Sequence, residues 1–170
     1  MSKRFVCLFI AVVFSLSLFA QENNDLQATF IEAEYFLMNE DYSDALVDYL
    51  QLYEKLPDNA NLAYCIGVCY LNIPGKKNLS VSYLETASKN MSAKHKEGTI
   101  SQATAPYETL FNLATAYRIN YKFDKAKETF IKYSGTRLPD DHENLDFIKH
   151  EIEVCDMAKD LISKPVSFTD

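Results

Sequence analysis

One spacing occurs three times in this chain and limits what it can fold into. The first copy is Ala33, Phe36, Ala45, Tyr49, Leu52 and Pro57. The second is Gly67, Tyr70, Ser80, Leu84 and Ala87, and the third is Ala114, Tyr117, Ala126, Phe130 and Tyr133. In each copy a small residue is followed three positions later by an aromatic. A second small residue comes nine or ten positions further on, and a bulky one four beyond that. Ala33 to Gly67 is 34 residues, a length that suits a helix–turn–helix unit. Small residues at fixed points let two helix backbones approach, and the aromatics and leucines fill the space around the contact. One such pair cannot bury its own apolar face, so neighbouring pairs must stack.

Punctuation between the copies places seven helices. The first spans about Leu26 to Met38. The second opens at Asp41-Tyr42-Ser43-Asp44-Ala45 and runs to about Leu56, where Pro57-Asp58-Asn59 breaks it. The third covers Ala60 to Asn72 and ends before the Ile73-Pro74-Gly75 turn; the fourth covers Lys77 to Lys89. The fifth is Pro106 to Asn120, with Pro106 in its first turn. The sixth is Phe123 to Ser134, closed by Gly135. A seventh helix, capped by Asp140 or Asp141, carries an apolar stripe of Leu145, Ile148, Ile152, Cys155 and Ile162 without the repeated spacing. A helix of that kind covers the open end of a stack. The expected fold is all-α: a solenoid of three helix–turn–helix repeats plus a C-terminal capping helix. No strand pattern appears.

The copies are not evenly placed. Gly67 to Ala114 is 47 residues. One extra residue falls in the Pro74-Gly75 turn and the rest between about Asn90 and Ala105, a polar stretch containing Gly98. A loop of this length in a compact domain is often functional. It reads either as a tolerated solvated insertion or as a lip over one edge of a groove.

The first twenty residues read as a secretory signal peptide. Met1 to Arg4 is basic, Phe5 to Phe19 is almost wholly apolar, and Ala20-Gln21 offers a cleavage point. The apolar run is short for a membrane span of about 20 residues. Domain organisation is therefore residues 1–20 as signal peptide, 21–166 as the repeat domain and 167–170 as a tail. Losing Lys3 and Arg4 takes the net charge from −7 to −9. An acidic chain is repelled by phosphate backbones and anionic lipid, so nucleic acid is excluded as a partner class. Once the signal is cut no membrane span is expected. The remaining Cys65, Cys69 and Cys155 are odd in number and form no disulfide framework; they read as small buried residues. A bridge from Cys155 to either of the others is possible but unforced.

Three segments carry a resemblance to a known family: Tyr42-Ser-Asp-Ala-Leu-Val-Asp-Tyr-Leu50, Asn61-Leu-Ala-Tyr-Cys-Ile-Gly-Val-Cys-Tyr-Leu-Asn72 and Ala116-Tyr-Arg-Ile-Asn-Tyr-Lys-Phe-Asp-Lys-Ala126. They look like tetratricopeptide repeats. With the Pro74-Gly75 turn, the inserted loop, Thr104-Ala-Pro106 and Ile162-Ser-Lys-Pro-Val166, residues 22–166 resemble the N-terminal repeat region of exported OmpA-family proteins of Bacteroidetes. There a β-propeller and a peptidoglycan-binding domain follow, and some relatives serve type IX secretion and gliding. This chain stops at Asp170, where the propeller would begin. Cell-wall anchoring is therefore not carried over; the chain reads as a free-standing module or as part of a longer protein. The resemblance implies an exported, periplasmic protein associated with the outer membrane, with outer-membrane or secretion components as protein partners.

In such an array the first helix of each repeat lines a concave groove. Helical phase assigns to it Phe30, Glu34, Leu37 and Met38, then Asn61, Tyr64, Val68, Leu71 and Asn72, then Glu108, Phe111, Thr115, Arg118 and Ile119. The protein-binding set is Phe30, Glu34, Leu37, Asn61, Tyr64, Val68, Leu71, Phe111, Thr115 and Arg118. Its mixed, rather apolar character fits an amphipathic helix or an apolar extended segment better than a carboxylate. No catalytic, cofactor or metal site is expected. His142-Glu-Asn-Leu-Asp146 resembles a helical zinc motif only faintly, with Asp as its second ligand and no third. The function expected is a non-catalytic interaction scaffold. Alternatives are a module that docks neighbouring domains of a longer envelope protein, or a chaperone-like adaptor for secretion.

Overall fold

The computed structural model describes residue 21, residues 23–136 and residues 141–164, the side chain of His142 excepted. The signal-peptide and C-terminal-tail expectations lie outside these residues. Among the described residues the fold is all-helical: α1 (residues 23–38), α2 (Tyr42–Lys55), α3 (Ala60–Asn72), α4 (Ser80–Ala87), α5 (Glu108–Ile119), α6 (Phe123–Ser134) and α7 (His142–Ser163). A single 3-10 turn, Lys77–Leu79, leads into α4.

Each helix from α2 onward packs chiefly on its neighbours in sequence, and α3 also reaches α5. Turns as short as residues 39–41 and 120–122 force the helices they join to run antiparallel. The small residues of the repeated spacing sit at those contacts: Ala33, Ala45, Ser80, Ala114 and Ala126 are all fully buried. Gly67 occupies the contact of α3 with α4. A Cβ there would lie 2.6 Å from Leu84 Cγ and 2.7 Å from Leu84 Cδ2, so α3 approaches α4 as only glycine allows.

The turns after α1 and α5 share their backbone detail, and the turn after α3 shares with them a positive φ. Glu40, Gly75 and Tyr121 all have positive φ, at 61°, 77° and 59°. At the first, Asp41 N–H donates to Phe36 O and Glu40 N–H to Leu37 O. At the third, Lys122 N–H donates to Tyr117 O and Tyr121 N–H to Arg118 O. These are the paired bonds by which a left-handed residue closes a helix C-terminus. The next helix then starts alike, with Ala45 N–H donating to Asp41 O and Ala126 N–H to Lys122 O. Glu40 and Tyr121 are as far apart in sequence as Ala33 and Ala114. Gly75 falls one residue late, at the extra residue of the Pro74-Gly75 turn.

The core has two main bodies. One gathers Phe30, Tyr49, Leu52, Leu62, Cys65, Ile66 and Cys69 from α1 to α3. The other gathers Leu84, Leu113, Tyr117, Phe130, Tyr133, Ile148 and Cys155 from α4 to α7. Cys65, Cys69 and Cys155 are free and buried, and Cys155 belongs to the second body while the other two belong to the first. Within the seventh-helix stripe Ile148 and Cys155 are buried, whereas Ile162 is 61% exposed. Asp141 takes the N-cap position of α7. Its carboxylate accepts from the Asn144 side chain at 2.7 Å and bonds no backbone N–H.

Candidate protein-binding face

The expected groove residues lie on α1, α3 and α5, and the structure divides them into three groups. Phe30, Asn61 and Leu71 are buried, at 1%, 4% and 7% exposure, and present no surface to a partner. Phe30 meets Tyr49 edge-on, with ring centres 6.1 Å apart. Leu71 joins the α4–α7 core body. Helical phase gave the direction in which these side chains point. It could not show that a neighbouring helix fills that direction.

A second group is half-buried and structural. Tyr64 packs against all three of the apolar clusters and so ties the two main core bodies together. Burial pushes its hydroxyl pKa well up; Cys65, Glu108 and Glu97 add to the effect, and a hydrogen bond with Asn112 pulls against it. Phe111 is ringed by Phe130, Tyr133 and Phe147, at 5.6, 5.5 and 5.9 Å between ring centres. Arg118 binds Glu151 of α7 at 3.1 Å. The seventh helix therefore covers part of the face that α5 would otherwise present.

The third group carries the accessible character of the face: Glu34, Leu37, Val68 and Thr115, all half-buried, with Met38, Asn72, Glu108 and Ile119 exposed around them. Glu34 accepts a 2.5 Å hydrogen bond from the Tyr49 hydroxyl. That phenol is buried, which raises its pKa strongly and keeps it a neutral donor. The equivalent pairs are Val68 with Leu84 in the second copy of the spacing and Thr115 with Phe130 in the third. The polar pair of the first copy is thus apolar in the second. In the third the Thr115 hydroxyl is buried and has no hydrogen-bond partner among the described residues.

The inserted stretch closes one end of this face. Met91 and Ala105 form an isolated parallel β-bridge. Ala105 is fully buried with Ala60, Ala63 and Ala87. Beyond that stem the chain crosses the starts of α1 and α3, where Ala60 N–H donates to Ala103 O at 2.9 Å. A cleft of about 690 Å³ lies beneath, with Leu26, Leu56, Pro57, Ile100 and Ala103 among its walls. The sequence marked the stretch as an insertion. It bore no sign of the bonds that hold it, because those bonds join residues far apart in the chain.

Among the described residues no group of three or more His, Cys, Asp or Glu side chains is placed to hold a metal ion, and no helix is long and apolar enough to cross a membrane. No protein-family model and no curated protein matches the chain.

Proposed function

We propose that this protein is a tetratricopeptide-type repeat scaffold that binds an apolar or amphipathic segment of another protein along the α1–α3–α5 face. The observation that carries the reading is the recurring positive-φ turn at Glu40, Gly75 and Tyr121, which follows the buried small residues Ala33, Gly67 and Ala114 by seven, eight and seven positions. Three equivalent hairpins align their first helices. Aligned first helices produce an extended face that suits recognition by shape, without turnover. The accessible apolar centre of that face is Leu37 and Val68, with Glu34 and Thr115 beside them. The proposed setting is the periplasm near the outer membrane, after removal of residues 1–20, with envelope or secretion components as partners. No catalytic residue, cofactor or nucleic-acid partner enters this reading.

The test is capture from envelope extracts with the exported protein and with Leu37→Glu/Val68→Glu. These two positions are chosen because Tyr64 and Phe111 hold the helices together, so replacing them would disturb the fold. The expected result is a discrete partner recovered by the native protein and lost by the charged variant, with both helical by circular dichroism and melting within a few degrees of each other. Equal recovery by both proteins contradicts it. Recovery of the protein in the cytosolic fraction at full sequence mass contradicts the proposed export.

A second reading rests on a different surface. Phe147, Met157, Leu161 and Ile162 of α7 are 50%, 54%, 69% and 61% exposed. An apolar side left open at the end of the helix array favours a module that docks a neighbouring domain of the same or another envelope protein.

A further inference from the structure

The inserted stretch has two parts with different attachments. Its stem is held by its own backbone: Ser92 N–H donates to Ala105 O and Ala105 N–H to Asn90 O, each at 2.9 Å, and Ala105 is fully buried. Its tip is held to the helices by two amide side chains and one backbone bond. Gln27 of α1 donates from Nε2 to Gly98 O at 3.1 Å and accepts at Oε1 from Ile100 N–H at 3.0 Å. A single side chain thus pairs with the tip as a strand neighbour would. Asn59 accepts from Leu62 N–H at Oδ1, which caps α3, and donates from Nδ2 to Ile100 O at 3.3 Å. Between these points Gly98 is left-handed, at φ 75°, and exposed. Ser101 and Ala103 are exposed too, and Ile100 is half-buried over the cleft beside Leu26 and Leu56.

We propose that residues 94–103 form a latched flap. It turns on the Met91–Ala105 stem and is caught by Gln27 and Asn59, so that it opens as a unit while the helices stay folded. A segment held by a few partly exposed hydrogen bonds over little buried surface opens well below the cost of global unfolding. Opening withdraws Ile100 and uncovers Leu26, Leu56 and Pro57 at the α1–α3 end of the binding face. The flap follows from these hydrogen bonds and does not require a partner on the face.

Residue-resolved hydrogen exchange on the full protein tests it, with Gln27→Ala and Asn59→Asp. Alanine keeps α1 helical. Aspartate keeps the acceptor that caps α3 and replaces the donor to Ile100 O with an oxygen that repels it. The informative reporter is the Ala60 amide, which bonds Ala103 O; Gln27→Ala reads it from a separate helix, and in Asn59→Asp, where residue 59 directly precedes it, its protection is taken relative to the intrinsic rate of the variant sequence. Each variant is expected to speed exchange at Ala60 and Ile100 together by about tenfold or more, leaving Ser92, Ala105 and Ile66 unchanged. Thr29→Ala, whose hydroxyl bonds Asp25 O on α1, is expected to change none of these. Faster exchange at Ile100 alone, equal acceleration at Ser92 and Ile66, or no acceleration at Ala60 overturns the proposal.

Discussion

Gly67 shows how one position sets the distance between two helices. In an exposed helix, alanine there would add about 1 kcal/mol of stability. Here the new Cβ would lie 2.6 Å from Leu84 Cγ, and Leu84 is fully buried. Overpacking of this kind costs about 1–3 kcal/mol, so the clash outweighs the propensity gain. Gly67→Ala is expected to destabilise by up to about 2 kcal/mol in chemical denaturation, the overpacking cost less the propensity gain. Gly67→Ala/Leu84→Val should recover part of the loss, because the two positions share one contact. A variant as stable as the parent would mean that α3 and α4 are further apart than described. The same spacing made Gly67 legible as a contact residue from sequence. The burial of Phe30, Asn61 and Leu71 was not legible, since it depends on which neighbour occupies each direction around the helix.

Among the elements, α3 and α6 have the bounds read from sequence, because both are strongly punctuated: α3 by Asn59, whose side chain caps it, and α6 by Gly135 at its end. The fourth helix differs. Its start is a 3-10 turn from Lys77 to Leu79, and regular helix begins only at Ser80, whose hydroxyl donates to Lys77 O at 2.6 Å. The fifth begins at Glu108 rather than Pro106. Glu40 and Tyr121 went unnoticed in the sequence as turn formers, because left-handed backbone is normally signalled by glycine or asparagine. Glu40 is exposed, and a non-glycine residue in this conformation costs about 1–2 kcal/mol, partly offset by the greater freedom glycine has when unfolded. Glu40→Gly should therefore stabilise by about 0.5–1 kcal/mol in thermal or urea unfolding. Tyr121→Gly should gain less, because Tyr121 also meets Phe123 edge-on at 6.2 Å. A loss of stability in Glu40→Gly would refute the turn geometry.

For the molecule as a whole, packing between sequence neighbours predicts that stability is distributed along the chain. Ile148 anchors α7 in the core body shared with α4 to α6, and the Arg118–Glu151, Lys127–Asp156 and Lys159–Asp124 pairs add contacts to α5 and α6. Removing a buried isoleucine costs about 2–5 kcal/mol. Ile148→Ala should loosen α7 and then α6, seen as faster hydrogen exchange there, before α1 to α3 respond. Simultaneous loss of protection in all seven helices would show a single cooperative unit instead. At this scale the sequence disclosed the helical class and the order of hairpins, since both follow from local spacing. It offered the inserted stretch as a lip over one edge and the seventh helix as a cover, but not the bonds from Gln27 and Asn59 or the contact of Phe147 with Phe111, since these join distant segments.

The central claim is that the α1–α3–α5 face receives a protein segment. Site-specific photocrosslinking in living cells tests it most directly, with p-benzoylphenylalanine replacing Val68 on that face or Val47, which is 54% exposed on α2. The account predicts a discrete protein adduct from position 68 and none of that mass from position 47. The same adduct from both positions, or an adduct from position 47 alone, would contradict it.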